Sequence, residues 1–356
     1  MEVEIVPHRD LAPEHLAAWQ RLRAATPALA SPYFDPGFSA AVERVKGGVL
    51  VAVFREAGAI RGLLPFEREG REGRAVGFGL NDCQGPVTGP GVAIDLAAFL
   101  RAAGLTTFRF DHLHPVDRAE FAPYVERRFS SPCLDVRGGL DAYRGRLSPS
   151  GKGEIPDTLR KARKLEREVG ALRFEFASAD AAELARLMEW KSRQYRDTGA
   201  SDAFAAPWVR ALLEHLLGLA SPEFGGVLST LHAGDRPLAQ HFGLRSGPVL
   251  HSWFPAYDPS LATLSPGRVL LLKIAEACDR HGVATIDLGK GQADYKRRVM
   301  THGYEVGEGL VEPRALRRWV RQARSGAVES IKASRAYDLA RKLKTKLRRP
   351  PGKPAP

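Results

Sequence analysis

Apolar residues along the chain recur at two spacings, and the two alternate in blocks. Residues 14–23 carry Leu16, Trp19 and Leu22 at helical intervals, and 37–45 read as a second helix. Two short apolar runs, 49–54 and 59–66, are split by Glu56-Ala57-Gly58 and predict a β-hairpin. A turn-rich loop over 81–91, a helix over 96–103 and a strand over 107–111 follow. Between 144 and 156 the chain turns to Gly, Ser and Pro with little apolar content, which predicts a domain boundary.

Past that boundary, 157–169 predict a charged helix with Leu159, Ala162, Leu165 and Val169 along one side and Gly170 at its end. A strand (172–176), two helices (181–196 and 207–219) and three strands (226–232, 238–244 and 249–254) come next. A helix over 268–281, a strand over 284–288, a short helix from Ala293 and a strand over 304–311 close the segment. Paired helices, an antiparallel meander and then strand–helix–strand is an α+β order; a doubly wound parallel sheet would alternate throughout. The expected units are 1–150, 151–312 and a basic helical tail, 313–356, with Leu339, Leu343 and Leu347 at i, i+4 spacing.

Composition narrows the class. The 356 residues are 44% hydrophobic and 26% charged, the profile of a globular protein with a sizeable core, which excludes collagenous and disordered chains. The formal net charge of +12 is that of residues 313–356 alone, since 1–312 balance 39 basic against 39 acidic groups. Cys83, Cys133 and Cys278 are odd in number and far apart, so neither a disulfide framework nor a zinc site is expected. The acidic start Met-Glu-Val-Glu-Ile lacks an apolar run, so no ordinary secretory signal is expected. No stretch approaches the ~18 apolar residues of a membrane span. A cytoplasmic location is expected.

Candidate chemistry concentrates in 236–298. Ser265-Pro266-Gly267 opens the helix that begins near Arg268, where Ser serves as N-cap and Pro as first residue. Such a helix start presents unpaired N–H groups and the positive end of a dipole, suited to a pyrophosphate. No GxSxG, HExxH or Walker loop is present, so hydrolase and NTPase chemistry lack support.

Pro237-Leu-Ala, Trp253-Phe-Pro-Ala-Tyr-Asp-Pro, Ser265-Pro-Gly, Asp287-Leu-Gly-Lys-Gly and Tyr295-Lys296 together resemble the CelD-like branch of the GNAT acyltransferase superfamily, related to Fem-type peptidoglycan aminoacyltransferases. Trp190-Lys-Ser-Arg-Gln-Tyr-Arg with Thr198-Gly199 is similar too. The resemblance covers 157–312 well and 1–150, with Ser31-Pro-Tyr-Phe and Gln84-Gly-Pro, more weakly. It implies tandem GNAT-like domains, each a mixed, mostly antiparallel sheet flanked by helices, and transfer of an acyl group from acetyl-CoA or another acyl-CoA to an amine or hydroxyl, without a metal. Ser265, Gly267 and Arg268 then meet the coenzyme A pyrophosphate, although the usual phosphate loop, Arg/Gln-x-x-Gly-x-Gly/Ala, is missing. Tyr295 takes the place of the acid that protonates the leaving thiolate, and Lys296 that of a positive charge for an oxyanion or phosphate. Asp287 orients a catalytic group or caps its own loop.

For the general base, His241 and His251 have suitable ordinary pKa values, each against the alternative of a structural strand histidine. Lys191, Gln194 and Tyr195 lie within one helical turn and line an acceptor groove; Trp253 and Tyr257 stack on a sugar or pack the core. The tail arginines Arg317, Arg318, Arg321 and Arg324 suit an anionic ligand: the inner-membrane surface, a cyclic dinucleotide, or solvent alone. Three functions follow from the resemblance. The first is an acyltransferase acting on a sugar or lipid-linked glycan intermediate of bacterial exopolysaccharide or cell-surface polysaccharide. The second is a Fem-type enzyme that takes amino acids from tRNA to a peptidoglycan precursor. The third is a degenerate acyltransferase serving as a regulatory adaptor.

Overall fold

The computed structural model describes residues 1–291 and 293–312, so the tail arginines lie outside the described residues. The first half runs β1 (Glu2–Pro7), α1 (Pro13–Ala24), α2 (Pro36–Val45), β2 (Val49–Glu56), β3 (Ala59–Glu69), β4 (Glu72–Ala75), β5 (Val87–Thr88), α3 (Leu96–Ala102), β6 (Thr107–Leu113) and β7 (Val125–Asp135). Helices α4 (Gly139–Arg146) and α5 (Pro149–Glu168) lead into the second half. That half runs β8 (Leu172–Glu175), α6 (Ala181–Thr198), α7 (Pro207–Gly218), β9 (Phe224–Ala233), β10 (Arg236–Ser246), β11 (Val249–Tyr257), α8 (Pro266–Ala277), β12 (Thr285–Asp287), α9 (Asp294–Val299) and β13 (His302–Val311). Both halves share one order: strand, two helices, a meander, a helix and two closing strands.

The strands form one mixed sheet, β1-β2-β3-β4-β6-β13-β7-β12-β11-β10-β9-β8, with β5 beside β3. Only β4–β6 and β11–β12 pair in parallel among the named strands; the rest is antiparallel. The closing strands are exchanged: β7 of the first half lies against β12, and β13 of the second lies against β6. β7 and β13 also pair with each other from His302↔Cys133 to Gly309↔Val125. On one face, α1, α2, α6 and α7 share a single core containing Trp19, Phe38, Leu187, Leu212, Phe242 and Phe254. On the other face each half keeps its own core, Phe66, Phe99 and Phe108 under α3, and Leu165, Leu250, Leu270 and Ile286 under α5 and α8. At ~1.5–3 kcal/mol per large apolar side chain buried, both faces make major contributions to stability.

The Gly-, Ser- and Pro-rich segment 144–156, where a domain boundary is expected, is mostly helix. Ser148 caps α5 by accepting the Gly151 N–H (3.2 Å), and Pro149 occupies its first turn. Gly151 is required by packing, because a Cβ there would collide with the Arg298 carbonyl of α9. Glu154, Ile155, Thr158 and Leu165 form the buried stripe of α5, which packs along α8. A helix absent from the paired layers thus comes to lie beside the start of α8.

Candidate active site

β11 and β12 run together for three residue pairs only, Val249↔Thr285, Leu250↔Ile286 and His251↔Asp287. β12 then ends, while β11 continues to Tyr257 paired to β10. The resulting gap opens into a cavity of about 370 Å³. Lys191 and Gln194 of α6, Gln240 and His241 of β10, Ser252 and Tyr257 of β11, Ser265, Gly267 and Arg268 at the start of α8, and Leu288 and Tyr295 beyond β12 line it. Segments more than a hundred residues apart in sequence therefore converge on one cavity, whose lining includes Lys191, Gln194, His241, Tyr257, Ser265, Gly267, Arg268 and Tyr295 of the residues singled out in the sequence.

The groups in its wall are strongly tuned by burial. His241 is buried, with Nε2 2.9 Å from Ser252 Oγ, and desolvation helped by the neighbouring His251 charge lowers its pKa to about 3. It is a neutral imidazole at physiological pH. Desolvation alone lowers Lys191 to about 8, and its ammonium donates to Gln194 Oε1 and the Pro255 carbonyl, both at 3.1 Å. Burial raises the Tyr295 phenol above its ordinary value, which keeps it protonated. Glu183 of α6 accepts one amide hydrogen of Gln240, fixing which end of that side chain is Oε1.

The start of α8 differs from a plain capped helix. Ser265 sits at the N-cap with left-handed backbone (φ +51°), and its hydroxyl caps nothing. Instead it accepts from Lys161 Nζ of α5 at 2.8 Å, which brings a cation the sequence did not single out to the helix start. Arg268, expected to face a pyrophosphate, is paired with Glu154 and with Asp157 (3.0 Å) of α5. Gly267 leaves the cavity wall open; a Cβ there would meet only the Tyr257 ring, at 3.5 Å.

Five of the singled-out residues stand away from the cavity. His251 is fully buried on the opposite face of β11, with Nε2 3.0 Å from Asp82 Oδ2 and Nδ1 3.5 Å from Asp287 Oδ2. Burial pushes its pKa down, but Asp287 and then Asp82 lift it to about 9, so it is an imidazolium and cannot accept a proton as a base. Asp287 accepts from Ser131 Oγ (3.1 Å), the Tyr304 hydroxyl (2.5 Å) and the Gly289 N–H (2.9 Å); burial opposes its charge, yet His251, Tyr304 and the Gly289 N–H hold it at about 2. Lys296 donates to the carbonyls of Leu288 (2.6 Å), Gly289 (3.0 Å) and Lys290 (3.1 Å), which uses all three of its protons to clamp the loop after β12. Trp253 donates to the Leu80 carbonyl (2.9 Å) and packs on Tyr33 and Phe38, at the seam between the halves and not in the cavity. Tyr195 packs on the core shared by both halves, its ring 5.4 Å from Lys191 Nζ.

Asp82, Tyr304, Lys161 and Glu154 were not foreseen. Each is an ordinary polar residue in a loop, strand or charged helix, and only a long-range contact gives it a role.

Residues 157–297 match a family model described as an Acetyltransferase (GNAT) domain. No curated protein sequence matches significantly. Among solved structures, FemX superposes with a TM-score of 0.56 at 10% identity, covering 87% of this chain and 96% of that one. The C-terminal domain of a protein assigned as a lysylphosphatidylglycerol synthetase from Agrobacterium fabrum gives 0.52 at 14%, covering 87% and 96%. A tandem GNAT protein from the clavulanic acid biosynthesis pathway gives 0.50 at 12%, covering 87% and 98%. At such identities the likeness is one of fold. Residues 157–297 are thus similar to a GNAT acetyltransferase domain, in a chain with the fold of tandem GNAT proteins.

Proposed function

We propose that this protein transfers an acyl group from acetyl-CoA, or a related acyl-CoA, to an amine or hydroxyl on a sugar or lipid-linked glycan intermediate of a bacterial surface polysaccharide. The observation that carries the transfer chemistry is the 370 Å³ cavity at the β11–β12 divergence, with a protonated phenol and a depressed lysine in its lining. The glycan acceptor rests on the CelD-like sequence features. The cavity suits a thioester carrier: the strand edge left free by β12 is a hydrogen-bonding surface, Gly267 leaves room beside the helix start, and Lys161 brings a cation to it. Gly267, Ser265 and Lys161 would hold the phosphate end, with Arg268 confined to its acidic partners. When bound, an acyl-CoA supplies an activated acyl carbon.

The chain's own groups then handle protons. Lys191, at about 8, is poised near working pH to take a proton from the acceptor nucleophile as it attacks the acyl carbon. His241, neutral and buried, orients the acceptor by hydrogen bonding and carries no charge into the site. Tyr295 holds the proton that the departing sulfur needs once its bond to carbon breaks. The full-length protein, assayed with acetyl-CoA and a panel of amino-sugar and nucleotide-sugar acceptors, is expected to release coenzyme A in step with acyl product. Tyr295→Phe should lower kcat by about 10²-fold, at the low end of general acid catalysis. Turnover unchanged in Tyr295→Phe and in Lys191→Met would overturn the assignment.

A further inference from the structure

The parallel pair β4–β6 in the first half diverges as β11–β12 does in the second, past Arg74↔Arg109. The outcome differs. In the first half the gap is closed by the chain itself: β5 (Val87–Thr88) takes the free edge of β3 at Gly62–Leu63, and Gln84 bridges to Leu113 of β6. Gln84 is bound along β6 by main chain and side chain, with its N–H to the His112 carbonyl (2.8 Å), its carbonyl from the His114 N–H (2.7 Å), and its side-chain oxygen from the Asp111 N–H (3.0 Å). Segment 81–88 is thus fixed in the position that the second half leaves open as its cavity.

From that segment Asp82 reaches across the seam. One carboxylate oxygen lies 3.0 Å from His251 Nε2 and the other 3.3 Å from His112 Nε2. His251 leads on to Asp287, the last residue of β12, and Asp287 holds the Gly289 N–H. Gly289 has a left-handed backbone (φ +70°), and a Cβ there would come within 2.6 Å of Asp82 Oδ2. The Asp82 carboxylate and the Gly289 turn are therefore packed directly together. From the other side Lys296 clamps the carbonyls of the same loop, and Tyr295 is its sequence neighbour.

We propose that Asp82 is a positioning residue for the cavity of the second half: through His251 and Asp287 it holds the 288–291 loop, and with it Lys296 and Tyr295, in one geometry. This rests on the acyltransfer reading for its catalytic consequence only; the mechanical consequence stands alone. A side chain acting through a partner supplies preorganisation, which is lost when the link is loosened even though nothing touching substrate has changed. The first half, with its own gap filled, braces the site of the second.

The test is Asp82→Asn in the full chain, read first by amide hydrogen exchange. Exchange at Leu288, Gly289 and Gly291, whose N–H groups bond to Pro132, Asp287 and Ser130, should accelerate at least tenfold, while amides of β9 and β10 keep wild-type rates. His251→Gln cuts the same link from its other end and should give the same pattern, which covers the case in which one variant does not fold. With acetyl-CoA and an acceptor, Asp82→Asn should lower kcat about tenfold with KM for the acyl donor changed less than twofold, and Asp82→Glu should recover part of the loss. Wild-type exchange at 288–291 in a folded variant overturns the proposal. Wild-type protein without acyl transfer would refute the activity instead, and the exchange measurement would still decide the role of Asp82.

Discussion

His251 offers a sharp test of the electrostatics at the seam. Its imidazole is fully buried between two carboxylates and binds its proton more tightly folded than unfolded, with a pKa raised from 6.5 to about 9. The stability it contributes is present in full below pH 6.5 and is lost as pH rises through about 9. A rise of this size corresponds to at most roughly 3 kcal/mol, at 1.36 kcal/mol per pH unit, part of it shared with Asp82 and Asp287. That is a large fraction of the ~5–15 kcal/mol that holds an ordinary protein folded. Other groups titrate over the same range, so the informative quantity is a difference between proteins. Urea unfolding of wild type and His251→Gln at several values from pH 6 to 10 should show the wild-type advantage shrinking by about 2–3 kcal/mol, most of it between pH 7.5 and 9.5. A gap that stays constant across the range would refute a charged, doubly paired His251.

Three further outcomes follow from particular contacts. Lys191, near 8 by desolvation, should react with an amine-directed succinimidyl ester at pH 8 ahead of fully exposed lysines, as read by peptide mass spectrometry; labelling no faster than theirs would place its pKa near that of a free lysine. Arg268→Gln strips buried Glu154 of its nearest cation and should cost about 2–4 kcal/mol in unfolding free energy, while acyl-CoA affinity falls less than threefold. Undiminished stability with lost affinity would instead make Arg268 a phosphate ligand. Gly289→Ala should cost about 1–2 kcal/mol for its left-handed backbone alone and more for displacing Asp82, measured by thermal unfolding; a neutral effect would mean the turn is not held as described.

Much of the second half is legible in the sequence because its signals are local. The β9–β11 meander, α8 and the short helix after Asp287 follow from apolar periodicity and turn chemistry, and the observed boundaries differ from the expected ones by only a few residues. β7 escaped because Glu126, Arg127 and Arg128 open it with exposed charge, although its far end, Ser131–Leu134, is buried in the centre of the sheet. The exchange of β7 and β13 left no local trace either, since pairing partners are chosen by the whole sheet. In the site, Lys191, Gln194, His241, Tyr257, Ser265, Gly267, Arg268 and Tyr295 could be singled out from motif and position, while the partners that set their charge states could not. Lys296 next to Tyr295 looks like a free charge until three carbonyls are seen around it. His251 looks like a base until Asp82, 169 residues away, is found at its Nε2. Charge state depends on partners, and those partners lie far off in sequence.

In the proposed function the gap between β11 and β12 receives an acyl-CoA, while its counterpart in the first half is filled by 81–88. Isothermal titration of the full-length protein with acetyl-CoA measures this directly. One molecule bound per chain, with affinity reduced at least tenfold in Gly267→Trp and unchanged in Gly62→Ala, is the result expected. Absence of binding by any acyl-CoA to folded protein, or binding indifferent to Gly267→Trp, would contradict it.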